Sequence, residues 1–140
     1  MERRWRAAMI VAVIALIAGA AGFIAALGDP FANPEGSLLG KLLHFNQLGA
    51  LVTAALALVA LAGGVTGKRP FLTLAGAGFA LCAVLTIVQT GRDPNWLGGR
   101  GNTLSLFLGC AVGLLILALV PTEVRGEVEE GGVSNDTPRA

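Results

Sequence analysis

The chain has 140 residues, 54% of them hydrophobic and 14% charged, with a formal net charge of +1. That length suits one domain, and the composition is too apolar for an ordinary water-soluble domain of this size. The ten basic and nine acidic residues fall at the two ends and in three short gaps. No basic stripe is interleaved with aromatic residues, which speaks against nucleic acid as a partner. The uncharged stretches between the gaps each approach the roughly 20 apolar residues that a spanning helix needs. The sequence therefore predicts an all-α integral membrane bundle of four transmembrane helices, multi-pass in the cell membrane.

The first apolar stretch follows Glu2, Arg3, Arg4, Trp5 and Arg6 and covers about residues 7–27. Basic residues before an apolar run also describe a secretory signal peptide, with Ala18-Gly19-Ala20 as a cleavage site. Signal-peptide cores span about 7–15 residues, and this run continues past Ala20, so a retained helix is expected. Asp29-Pro30 ends it, because proline lacks a backbone donor and disfavours helix in the residue before it. Asn33-Pro34-Glu35-Gly36 repeats the turn signal.

Ser37 then reads as the cap of a second helix over about 38–62, its early Lys41 extending to headgroups from an apolar stem. Residues 63–70 are a tight connection, which makes helices two and three antiparallel neighbours. Helix three covers about 71–88. A glycine-rich polar loop follows, with Trp96 placed at headgroup depth. Helix four covers about 103–120 and stops at Pro121. Residues 1–121 thus form the transmembrane domain. The tail, 122–140, carries Glu123, Glu127, Glu129 and Glu130, has little to bury, and is expected to be disordered.

Basic residues are retained on the cytoplasmic side. Placing both termini there puts Arg3, Arg4, Arg6, Lys68, Arg69, Arg125 and Arg139 inside and leaves Lys41, Arg92 and Arg100 outside.

In lipid, helices associate by close packing of small residues. Ladders of these occur in every predicted helix: Ala18, Gly22 and Ala26; Gly49, Thr53 and Ala57; Gly78, Cys82 and Thr86; Ser105, Gly109 and Gly113. The last contains a true GxxxG and is the strongest packing signal, whether its partner is intramolecular or not. Cys82 and Cys110 fall at similar depth near the bilayer centre. Buried free cysteine behaves as a small hydrophobe, and no CxxC is present, so neither a bridge nor a redox role is expected.

Ionisable residues inside a membrane are costly and usually functional, and the apolar stretches contain no Asp, Glu, Lys or Arg. That argues against a proton-coupled pump. One histidine supplies neither two axial haem ligands nor a histidine-rich metal site, so no metal and no cofactor is expected. What remains is a polar cluster at the outer helix ends. His44 and Gln47 are three apart and would share a helix face, with Asn46 between them and Asn102, Gln89 and Thr90 at the same level. These residues make a candidate site for a lipid headgroup, a small molecule or a partner helix. The plainer reading has Asn102 capping helix four and the others bonded to loop carbonyls or interfacial water.

Two windows resemble a known family. Leu43-His44-Phe45-Asn46-Gln47-Leu48-Gly49-Ala50-Leu51-Val52 is similar to the second-helix pattern Phe-x-Val-Asn-x-Leu-His-Asn-Leu-Val-His of the family known as domain of unknown function 4383. Asn46, Leu48, Leu51 and Val52 fit, while Gly49, Ala50 and Thr53 stand in place of His, Asn and His. Asn102-Thr103-Leu104-Ser105-Leu106-Phe107-Leu108-Gly109 resembles the family's Asn-Trp-Leu-His-Leu-Gly-Leu-Gly, with Ser105 in place of the histidine. The resemblance implies a small four-helix membrane protein, mostly actinobacterial in occurrence, and implies no activity.

The sequence thus favours a non-enzymatic membrane scaffold or accessory subunit, whose partners are the lipid bilayer and other membrane subunits or a second copy of itself. The alternative is a lipid- or small-molecule-binding bundle, such as a transporter component, using His44, Asn46, Gln47 and Asn102. An enzyme using Asp29, Glu35 and Asp93 ranks last, since these carboxylates lie beside prolines or in turns.

Overall fold

A computed structural model of the chain describes residues 2–28, 37–39, 43–90, 92 and 95–121. Its elements in order are α1 (Arg3–Ala25), β1 (Ser37–Leu39), β2 (Leu43–Phe45), α2 (Gln47–Thr66), α3 (Arg69–Gln89) and α4 (Gly101–Leu119). Each helix is long and apolar enough to cross a membrane. At 1.5 Å per residue the shortest is roughly 29 Å long, close to the ~30 Å hydrocarbon core of a bilayer. Asp29, Glu35, Lys41, Asp93 and the acidic tail, all read from the sequence above, lie outside the described residues.

The four helices close a ring. α1 packs against α2 and α4, and α3 packs against α2 and α4, with the α1/α2 and α3/α4 seams the most extensive. Along α1 the buried residues are Trp5, Ala8, Ala12, Ala15, Gly19 and Gly22, a stripe at helical spacing whose small members let the backbones meet. A Cβ on Gly19 would stand 2.8 Å from the Ala54 backbone nitrogen. The inner faces of α3 and α4 also hold larger groups, with Leu72, Phe79, Phe107 and Leu114 fully buried. Phe79 and Phe45 each stand 6.2 Å from Phe107, centroid to centroid, within the range of favourable tilted aromatic pairs.

Side chains facing away from the ring are large and aliphatic. Ile10, Ile17, Ile24, Leu58, Leu74, Leu81, Val112 and Ile116 are all exposed. Size sorts inside from outside here, since both faces are apolar.

Helix two departs from the expected span of 38–62. It begins at Gln47, because the Asn46 side chain accepts a hydrogen bond from Gly49 N–H at 2.7 Å and so caps the helix. The residues before it are extended. β1 pairs antiparallel with β2, Leu38 opposite His44, so Ser37 lies in a strand rather than at a helix cap. The shared helix face of His44 and Gln47 is lost with it. At the other end α2 runs through Gly63 and Gly64 to Thr66 and stops at Gly67, which has φ 66°, a left-handed cap that favours glycine. Interior glycines cost about 1 kcal/mol each in a helix, and packing offsets that cost here. A Cβ on Gly63 would meet the Leu72 side chain at 2.8 Å, and one on Gly64 would meet Met9 at 2.7 Å.

Several hydroxyls within the helices are satisfied by their own helix. Thr53 donates to Gly49 C=O at 2.7 Å and Thr86 to Cys82 C=O at 2.8 Å. Cys82 and Cys110 are buried and unbridged.

Candidate functional site

At one end of the ring the short segment 43–47 reaches α1, α2, α4 and the loop between α3 and α4. Phe45 is fully buried and lies against α1 at Gly22, where a Cβ would come within 2.7 Å of its ring. His44 engages α4 through its backbone. Its N–H donates to Thr103 Oγ1 at 3.2 Å, and its carbonyl accepts from the same hydroxyl at 2.6 Å. One threonine thus satisfies both groups of a residue in β2, whose strand has one partner strand among the described residues.

Asn46 is fully buried and uses both ends of its amide. Oδ1 caps α2, while Nδ2 donates to Trp96 C=O at 2.7 Å. Its backbone N–H adds a long bond, 3.4 Å, to Leu97 C=O. The loop between α3 and α4 is therefore fastened to the start of α2. Gly49 makes the approach possible: a Cβ there would lie 2.3 Å from the Leu97 carbonyl oxygen. The loop is braced on its own side as well. Trp96 N–H donates to Gln89 Oε1 at 3.1 Å, and Asn95 Nδ2 donates to Gly99 C=O at 3.2 Å. Gln47 turns toward α1, donating from Nε2 to Ala26 C=O at 2.9 Å just past that helix's end.

The sequence-predicted residues separate on this geometry. His44, Asn46 and Gln47 come together as a clasp. Asn102 does not cap α4: the cap position belongs to Arg100, and Asn102 is exposed in the first turn. Its neighbour Thr103 is the buried residue that holds His44, and the sequence reading passed over it, as it did Asn95. The signal was a threonine directly beside a chosen asparagine at a helix start.

His44 has one feature the clasp does not use. Its Nδ1 is buried and has no hydrogen-bond partner. Burial, with the Arg100 guanidinium adding to it, holds the imidazole below its ordinary pKa of 6.5. The ring is therefore neutral at pH 7. Among the described residues no group of three His, Cys, Asp or Glu side chains is placed to hold a metal ion.

The packing ladders also separate. Gly49 and Thr53 are buried in the ring. Ser105 and Gly109 are exposed and Gly113 half-buried on α4, and a Cβ on either glycine would meet nothing within 4 Å. Among the described residues the GxxxG ladder serves no seam. The glycines that do are Gly19, Gly22, Gly49, Gly63, Gly64, Gly76 and Gly78, each of which faces a close neighbour.

No family model, curated protein or solved structure matches the chain.

Proposed function

We propose that the protein is a non-enzymatic, multi-pass membrane accessory or scaffold subunit that offers the outer face of α4 to a partner helix. The observation carrying this reading is the contrast among helical glycines. Those of α1, α2 and α3 are all filled by neighbours, whereas Gly109 and Gly113 lie open on α4. In lipid, such a face lets a second backbone approach closely. The rows of exposed isoleucine, leucine and valine on every helix support a lipid surround, since a water-soluble protein rarely leaves so large an apolar surface uncovered. The basic residues Arg3, Arg4, Arg6, Lys68 and Arg69 cluster at one end, which favours cytoplasmic termini. On this reading the resemblance of residues 43–52 and 102–109 to the four-helix membrane family is one of kinship.

The test is Gly109→Leu with Gly113→Leu in the full chain, extracted from native membranes in mild detergent and sized. The expected result is loss of a larger assembly with an unchanged or raised thermal midpoint. Retention of that assembly by the double variant would remove the proposal's basis.

A second reading, ligand binding at the clasp, draws on one observation, the unpartnered Nδ1 of His44. It predicts that His44→Ala abolishes function while leaving assembly intact. The subunit reading predicts the reverse pattern, with the α4 variants affecting function and His44→Ala not.

A further inference from the structure

At the end opposite the clasp, the first turn of α1 and the last turn of α4 enclose a groove of about 650 Å³. Glu2, Arg3 and Arg4 line it on one side, and Ile116, Leu117, Val120 and Pro121 on the other. We propose that this groove holds one anionic phospholipid, its phosphate on Arg4 and an acyl chain along the α4 wall. The proposal rests on the reading that the helices cross a bilayer, which puts their terminal turns at headgroup depth.

Arg4 is held in place but incompletely bonded. Its guanidinium lies 4.5 Å from the centroid of the Trp5 ring, an arrangement that fixes its plane. Nε stands 2.8 Å from a Glu2 carboxylate oxygen without hydrogen-bond alignment, and Nη1 is buried with no acceptor. The Arg4 side chain is 20% exposed and that of Glu2 54%, so the carboxylate is largely in solvent while the cation is not. Two buried donors left idle on this half-buried guanidinium are costly, and a phosphate offers the acceptors they lack in the geometry arginine prefers.

Charge and shape point the same way. Arg3, Arg4, Arg6, Lys68 and Arg69 share this end, and Glu2 is the only acid among the described residues. Beneath the arginines the wall becomes wholly aliphatic, which suits an acyl chain and not a soluble anion. A second groove on the other side of α4, about 590 Å³ and lined by Arg69, Pro70, Thr73 and Leu74 among others, has a cation at its mouth but no under-bonded guanidinium comparable to Arg4.

The experiment is native mass spectrometry of the full chain in non-ionic detergent with equimolar phosphatidylglycerol and phosphatidylcholine. One phosphatidylglycerol should be retained per chain, at least about fivefold over phosphatidylcholine, as one well-placed cation near an anionic headgroup implies. Arg4→Gln should remove the preference, while Arg6→Gln, an exposed residue outside the groove, should keep it. Val120→Trp, which fills the groove and leaves every charge in place, should also remove it, so a fold defect in one variant does not decide the matter.

Equal loss in Arg4→Gln and Arg6→Gln would reduce the effect to diffuse charge and overturn the proposal. Equal retention of the two lipids would overturn it as well. So would a wild-type chain that shows no preference but gains one when Glu123, Glu127, Glu129 and Glu130 become Gln, since the acidic tail would then be the occupant. Release of the chain from membranes by an alkaline wash would instead strike at the bilayer reading, separately from the detergent result.

Discussion

At the scale of single residues, two positions carry the clasp. Gly49→Ala would drive a methyl group to 2.3 Å from the Leu97 carbonyl oxygen, and the obstacle is backbone with no rotamer to yield. Overpacking usually costs 1–3 kcal/mol, and this contact belongs at or above the upper end, so a fall of about 3 kcal/mol in unfolding free energy in detergent is expected. Asn46→Ala removes a helix cap and leaves the buried Gly49 N–H and the partly buried Trp96 C=O without these partners, for about 2–4 kcal/mol. An Asn46→Ala chain as stable as wild type would show that the loop is held by something else.

His44 gives a pH test. Its folded pKa lies below 6.5, so the folded state binds fewer protons than the unfolded state. Its contribution to stability is present above about 6.5 and is lost as pH falls below it. The thermal midpoint should stay flat between pH 8 and 7 and drop toward pH 5, with a smaller drop in His44→Gln. An identical slope in the variant would place the titrating group elsewhere.

Among elements, the seams divide the glycines by consequence. Gly19→Leu pushes a side chain into the α2 backbone, where even a Cβ would be 2.8 Å from Ala54 N, and should separate α1 from α2 with a loss of about 3 kcal/mol or more. Gly109→Leu meets nothing and replaces a poor helix former by a good one, for a gain of up to about 1 kcal/mol. Comparing the two melting curves tests the assignment of inner and outer faces.

That assignment was the part least legible in the sequence. Apolar length gave four helices, and Pro121 marked the end of α4 to within two residues. Polarity could not give the face, because both faces are apolar, whereas small-residue spacing gave it on α2, where Gly49, Thr53 and Ala57 are all buried. The GxxxG of α4 stood out as a motif, yet motif spacing is silent on which way a helix is turned. The hairpin was hidden for a related reason. Leu38, Leu39 and Leu43 to Phe45 read as the opening of an apolar helix, and three-residue strands leave no period to detect. Asn46 is a good cap by residue type, but Ser37 after a Pro/Gly-rich stretch offered an earlier one. Of the site, His44, Asn46 and Gln47 were found because they are rare polar residues in an apolar run. Thr103 was not, because a hydroxyl that usually bonds its own helix gives no hint of a partner 59 positions away.

For the whole molecule, orientation is the open quantity and has a clean probe. Cys82 and Cys110 are buried, so background thiol labelling should be low. Lys68→Cys, in the exposed turn between α2 and α3, should react with a membrane-impermeant reagent only after the membrane is opened. Labelling from the outside of intact cells would invert the topology.

The clasp bears on the timing of assembly. Its bonds join a strand that precedes α2 to a loop that follows α3 and a hydroxyl on α4, so the pair between His44 and Thr103 cannot form until the last helix has been made. Until the loop after α3 is made the buried Asn46 amide has no Trp96 carbonyl to receive its donor, and until α4 is made His44 has no threonine beneath it. A chain that ends after three helices therefore carries polar groups that only the finished chain satisfies. Those groups are what separates an unfinished molecule from a closed one.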